Sequence, residues 1–123
     1  GSDGNSTDNY LLVNETPHDG DTTYVEGSTI NERDLYGLSA CGLSNVAIQR
    51  VWAESRSRDT VAAGGLIALG LKTNGTEYFG SDLSLLTTFM EKKGTAHTVN
   101  PQTGSAWTTT ELDALQVGVK TRS

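Results

Sequence analysis

Cysteine is almost absent from this chain. Cys41 is the only one in 123 residues, which excludes an intramolecular disulfide and any zinc site built on paired thiolates. As a lone thiol it reads as a small packing residue, buried or half-buried, because neither His18 nor His97 stands in a pattern that would activate it. Positive charge is scarce too: 9 Lys and Arg face 15 Asp and Glu, for a formal net charge of -6. Such a surface repels phosphate backbones, and no basic cluster offsets it, so nucleic acid is not an expected partner. No apolar run approaches the ~20 residues that span a bilayer, and no segment reads as a signal peptide. No glycine-rich loop leads from a strand into a helix, so nucleotide binding has no support.

What is present suits a turn-rich all-β protein. Hydrophobic residues make up 35%, lean for a core, but 14 glycines and many Ser and Thr accompany recurring alternating segments. The length fits one domain. Residues 1–9 are polar and read as a linker or N-terminal loop, and residues 10–123 as a β-sandwich domain. Gly1-Ser2 reads as a cloning remnant or as the start of a piece of a longer protein.

Along the domain, residues 10–13 and 22–26 read as short strands around the turn at Pro17-His18-Asp19-Gly20-Asp21. Another strand falls within residues 31–38. Residues 46–54, with Val46, Ile48, Val51 and Trp52, read as the strongest middle strand, although Gln49 and Arg50 interrupt its alternation. Residues 55–63 read as a polar connection. Residues 66–72 follow as a strand with Ile67, Leu69 and Leu71 on one side and Ala68 and Gly70 on the other. Asn74-Gly75 predicts a tight hairpin turn into a returning strand at 77–79, and residues 83–92 read as one further strand. Thr108 with Glu111 three residues later makes a capping box for one short helical turn. Leu115, Val117 and Val119 then alternate with Gln116, Gly118 and Lys120, the cleanest period of two in the chain. About eight short strands separated by turn residues predict a β-sandwich of jelly-roll type.

Several side chains are candidates for a site. Asp3, Asn5 and Asp8 offer oxygen ligands at loop spacing and are the calcium candidates, against the plainer reading of a solvated loop that lacks a later bidentate Glu. His18, beside Asp19 and Asp21, reads as a turn residue and His97 as an exposed strand residue. Glu54, Glu77, Asp82 and Glu91 lie near strands, but no spacing requires two of them to face each other as glycoside hydrolysis needs. Trp52, Tyr78 and Trp107 are the ligand or interface candidates; Trp107 also fits a corner plug between a turn and a capped helix. Asn5, Asn14 and Asn74 begin glycosylation sequons, which matter only in a secretory pathway. No catalytic set stands out.

Two groups of residues carry a family likeness. One is the stretch GSDGNSTDNYLLVNE at residues 1–15 with Thr23-Tyr24-Val25-Glu26 and Asp34-Leu35-Tyr36. The other joins Asn74-Gly75-Thr76-Glu77-Tyr78 to Asn100-Pro101-Gln102-Thr103-Gly104-Ser105-Ala106-Trp107 and Leu115-Gln116-Val117-Gly118-Val119. Together they span nearly the whole chain and resemble structural proteins of tailed bacteriophages and prophages, in which such a block looks like the C-terminal β-sandwich of a longer protein. The resemblance implies a non-enzymatic virion domain without catalytic residues or cofactor, assembled in the bacterial cytoplasm. It would decorate or cement a capsid or belong to a tail. Its partners would be other virion proteins and its own copies, a trimer being one fit to a symmetric lattice. The alternative is a carbohydrate-binding module of a tail fibre or spike, and the third reading is a depolymerase using Glu54, Glu77 or Asp82.

Overall fold

A computed structural model describes residue 13, residues 24–60 and residues 64–123. Among these residues are seven strands and one short helix: β1 (Arg33–Gly37), β2 (Glu54–Ser57), β3 (Leu66–Thr73), β4 (Thr76–Phe79), β5 (Leu83–Ser84), β6 (Met90–Lys93), α1 (Thr109–Asp113) and β7 (Gln116–Thr121). All pairings are antiparallel. The larger sheet runs β1-β7-β3-β4, with β5 also on β3, and the smaller holds β2 and β6. The chain is therefore an all-β protein of two sheets, as its alternation predicts.

One long hairpin generates both sheets. Its tip is Asn74-Gly75, where φ values of 47° and 80° give the doubly left-handed turn that asparagine and glycine tolerate best. From the tip the arms pair as Thr73 with Thr76 and Gly70 with Phe79. Between Phe79 and Leu83 the outer arm advances four residues, while β3 advances three from Gly70 to Ile67. That extra residue is a bulge, which bends a strand. Beyond it, Leu85 N donates to Gly65 O at 2.8 Å and Asp59 N to Leu86 O at 2.8 Å. The arms then pair again as β2 with β6 and end at the isolated bridge between Val51 and His97. Among the described residues the hairpin thus folds at 58–60 with 64–65 on one arm and at 85–89 on the other, and its two halves become the two layers. β7 and then β1 extend the tip half along the free edge of β3.

The layers meet over Ala53, Ile67, Leu69, Leu71, Leu85, Trp107 and Leu115. A side chain at Gly94 would start 3.0 Å from the Leu69 Cβ and 3.3 Å from the Ala53 carbonyl, so that glycine sets how closely they approach. On the other face of the large sheet, Gly118 and Gly70 lie side by side between Leu35 and Phe79. Across this glycine floor Arg33 Nε reaches Glu77 Oε2 at 2.8 Å. Arg33 and Glu77 stand on strands three spacings apart, about 14 Å in a flat sheet. The contact requires the sheet to curl over that face, as a glycine-lined sheet can.

Some expected strands do not form. Residues 46–50 stay irregular and join no ladder, while the polar Glu54–Ser57, expected to be mostly connection, becomes β2 because β6 pairs with it. The segment 83–92 is two strands, since its middle is the corner between sheets. Residues 24–26 carry no strand. The strand expected at 10–13 lies outside the described residues except for Val13, which is exposed, and the turn at 17–21 lies wholly outside them.

Candidate interaction groove

Among the described residues, the irregular segment before β2 borders an open concavity. A groove of about 700 Å³ opens between residues 38–54 and the core, floored by Leu71 and Val117 and rimmed by Leu38, Leu43, Val46 and Trp52. The rim is apolar yet open to solvent: Leu43 is 51% exposed and Trp52 42%. Isolated exposed apolar residues are ordinary, but several gathered on one concavity mark a contact site.

Tethers at both ends hold the segment in place. The Cys41 N–H donates to Asp113 Oδ1 at 2.8 Å, linking the loop to α1. That bond lowers the Asp113 pKa, because the donor favours the charged carboxylate. At the other end Val51 and His97 exchange backbone bonds of 3.0 and 2.8 Å. Burial lowers the pKa of the half-buried His97 by disfavouring imidazolium, where the sequence suggested an exposed side chain. The Trp52 Nε1–H donates to Glu54 Oε1 at 2.8 Å, and Lys93 Nζ lies 5.8 Å from the indole centre. The indole bond, first, and Lys93 lower the Glu54 pKa.

Of the three aromatic candidates, Trp52 alone belongs to the groove. Trp107 is 4% exposed and donates from Nε1 to His97 O at 3.1 Å, so it plugs the core and is removed from the ligand candidates. Tyr78 is half-buried on β4 opposite Leu71. Each of the four carboxylates near the strands faces a cation. Glu77 meets Arg33, Asp82 meets Arg122 at 2.8 Å, Glu54 meets Lys93 at 3.4 Å, and Glu91 meets Arg56 at 3.8 Å. No metal-holding cluster of His, Cys, Asp and Glu occurs among the described residues, and Asp3, Asn5, Asp8 and His18 lie outside them. No helix among the described residues is long and apolar enough to cross a membrane.

The sequence did not disclose how strongly the closing turn is locked. Asn100 is fully buried; its Nδ2 donates to Thr73 Oγ1 at 2.9 Å and to Glu111 Oε2 at 2.5 Å. Asn74, at the hairpin tip, donates to the same Glu111 oxygen at 3.1 Å and to Gln102 Oε1 at 3.2 Å. Glu111 meanwhile completes the predicted capping box with Thr108. One carboxylate thus ties the helix start, the closing turn and the hairpin tip together. The Thr108 backbone bond leads the causes that lower its pKa.

Searches of protein-family models, curated proteins and solved structures found no match to this chain.

Proposed function

We propose that the chain is a non-enzymatic structural domain of a bacteriophage virion, a capsid decoration or cement protein or a tail-associated domain, working through protein–protein contacts. The exposed apolar groove carries this reading: a rigid two-layer domain that leaves Leu38, Leu43, Val46 and Trp52 around one concavity is built to be covered. The likeness to phage structural proteins supplies the setting. Carboxylates that each face a cation fit contact better than acid–base chemistry. The proposal includes a jelly-roll winding of the sandwich, for which a long hairpin folded on itself is a natural starting unit. A pull-down of virion proteins by the tagged domain tests it. Capsid or tail proteins should be retained by the wild type and lost with Leu43→Asp; retention of none counts against it.

One observation favours the second reading, a glycan-binding module. Phe89 has Arg58 at 4.9 Å and Arg56 at 5.7 Å from its ring centre, with the Tyr24 ring tilted beside it at a centroid distance of 6.5 Å. Rings beside forked hydrogen-bond donors resemble a sugar platform. Glycan-array binding lost on Phe89→Ala or Trp52→Ala, with folding intact, would favour that reading over the first.

A further inference from the structure

Residues 46–50 pose a specific puzzle. Val46-Ala47-Ile48-Gln49-Arg50 leads into Val51-Trp52 and has the composition of a strand. Yet residues 42–50 make no backbone–backbone hydrogen bond to any described residue, and the first pairing comes at Val51. A strand needs a partner for its N–H and C=O groups. Here a strand-forming sequence lies beside an apolar groove with that partner missing from the described chain.

Arg50 adds a charge to the same place. It lines the groove and is exposed. Arg33, Arg56 and Arg122 each face a carboxylate, and Arg58 lies over Phe89. Among the described residues Arg50 meets neither a carboxylate nor a ring, in a chain where acids outnumber bases by 15 to 9.

We propose that the groove takes an extended segment of a partner protein, which adds as a strand along residues 46–50, seats apolar side chains between Leu43 and Trp52, and places a carboxylate against Arg50. Strand addition supplies affinity through main-chain bonds and specificity through alternate side chains. The neighbouring carboxylate Glu54 is already held by Trp52 and Lys93, so the open charge at the rim is positive. This inference rests on the groove being a protein contact and goes further by fixing the chemistry of the occupant.

The test is selection of a random decapeptide display library on the purified domain, in wild-type and Arg50→Glu forms. Wild type should enrich peptides that alternate apolar residues and carry Asp or Glu. Arg50→Glu should weaken the best of these roughly tenfold or more and enrich Lys or Arg instead. The bound peptide should slow amide exchange at residues 46–50. No enrichment, affinity indifferent to Arg50→Glu, or protection elsewhere overturns the inference. So does a dimer in light scattering that Arg50→Glu dissociates, because a second copy is then the occupant. If no peptide binds while virion proteins are still captured in a Leu43-dependent way, this inference fails and the contact reading stands. If virion proteins are not captured at all, the contact reading itself fails.

Discussion

At the scale of single residues, Asn100 and Glu111 join the closing turn to the hairpin tip and the helix start. Asn100→Ala would remove the two bonds that Nδ2 donates and the bond that the Gln102 N–H donates to Asn100 Oδ1. It would leave the buried Thr73 hydroxyl without that partner. A loss of roughly 2–4 kcal/mol in urea unfolding is expected. Glu111 has a folded-state pKa below its ordinary 4.5, so its contribution is present above that value and is lost as pH falls through the lower folded one. Urea midpoints should therefore drop on acidification below about 4.5, and Glu111→Gln should flatten part of that fall. Asp113 and Glu54 shift in the same direction and keep the remainder. Tyr36 moves the opposite way: burial first, then the Asp34 carboxylate that accepts its hydroxyl, pushes its ionisation well above the ordinary range.

At the scale of elements, the hairpin and its fold-over decide the architecture. Gly94→Val would push its branches against Leu69 and Ala53, where the layers meet. A loss of about 2–3 kcal/mol or more is expected, with a lowered thermal midpoint as the readout. Gly70→Val would strike the Tyr78 carbonyl at 2.6 Å and the Phe79 ring and should be at least as damaging. Legibility in the sequence follows the same lines. β3, the Asn74-Gly75 turn, β4, the capping box and β7 were readable because their signals are local: alternation, left-handed turn residues and a Thr–Glu spacing. β2 was not, because Glu-Ser-Arg-Ser becomes a strand only when β6 lies beside it. The continuous strand expected over 83–92 failed because alternation does not register a corner: residues 85–89 carry no strand, and pairing resumes at Met90 in the other sheet. Residues 46–50 failed for the converse reason: the propensity is there and the described chain supplies no partner. The groove was illegible because its floor and rim come from segments far apart in sequence, Leu43 and Trp52 on one side and Leu71 and Val117 on the other.

At the scale of the whole molecule, stability and function should separate cleanly. The hairpin core and the Asn100 lock hold the domain, while the groove rim contributes little to folding because its side chains remain half open to water. Leu43→Asp is expected to change unfolding free energy by no more than about 0.5 kcal/mol, yet to abolish assembly. The most direct measurement is the occupancy of this chain in density-gradient-purified virions, by quantitative mass spectrometry, for wild type and Leu43→Asp with matched thermal midpoints. A fixed copy number of the wild-type chain per particle, with the variant absent, is the expected result. Particles that lack the wild-type chain, or that carry the variant at the same copy number, would contradict the account.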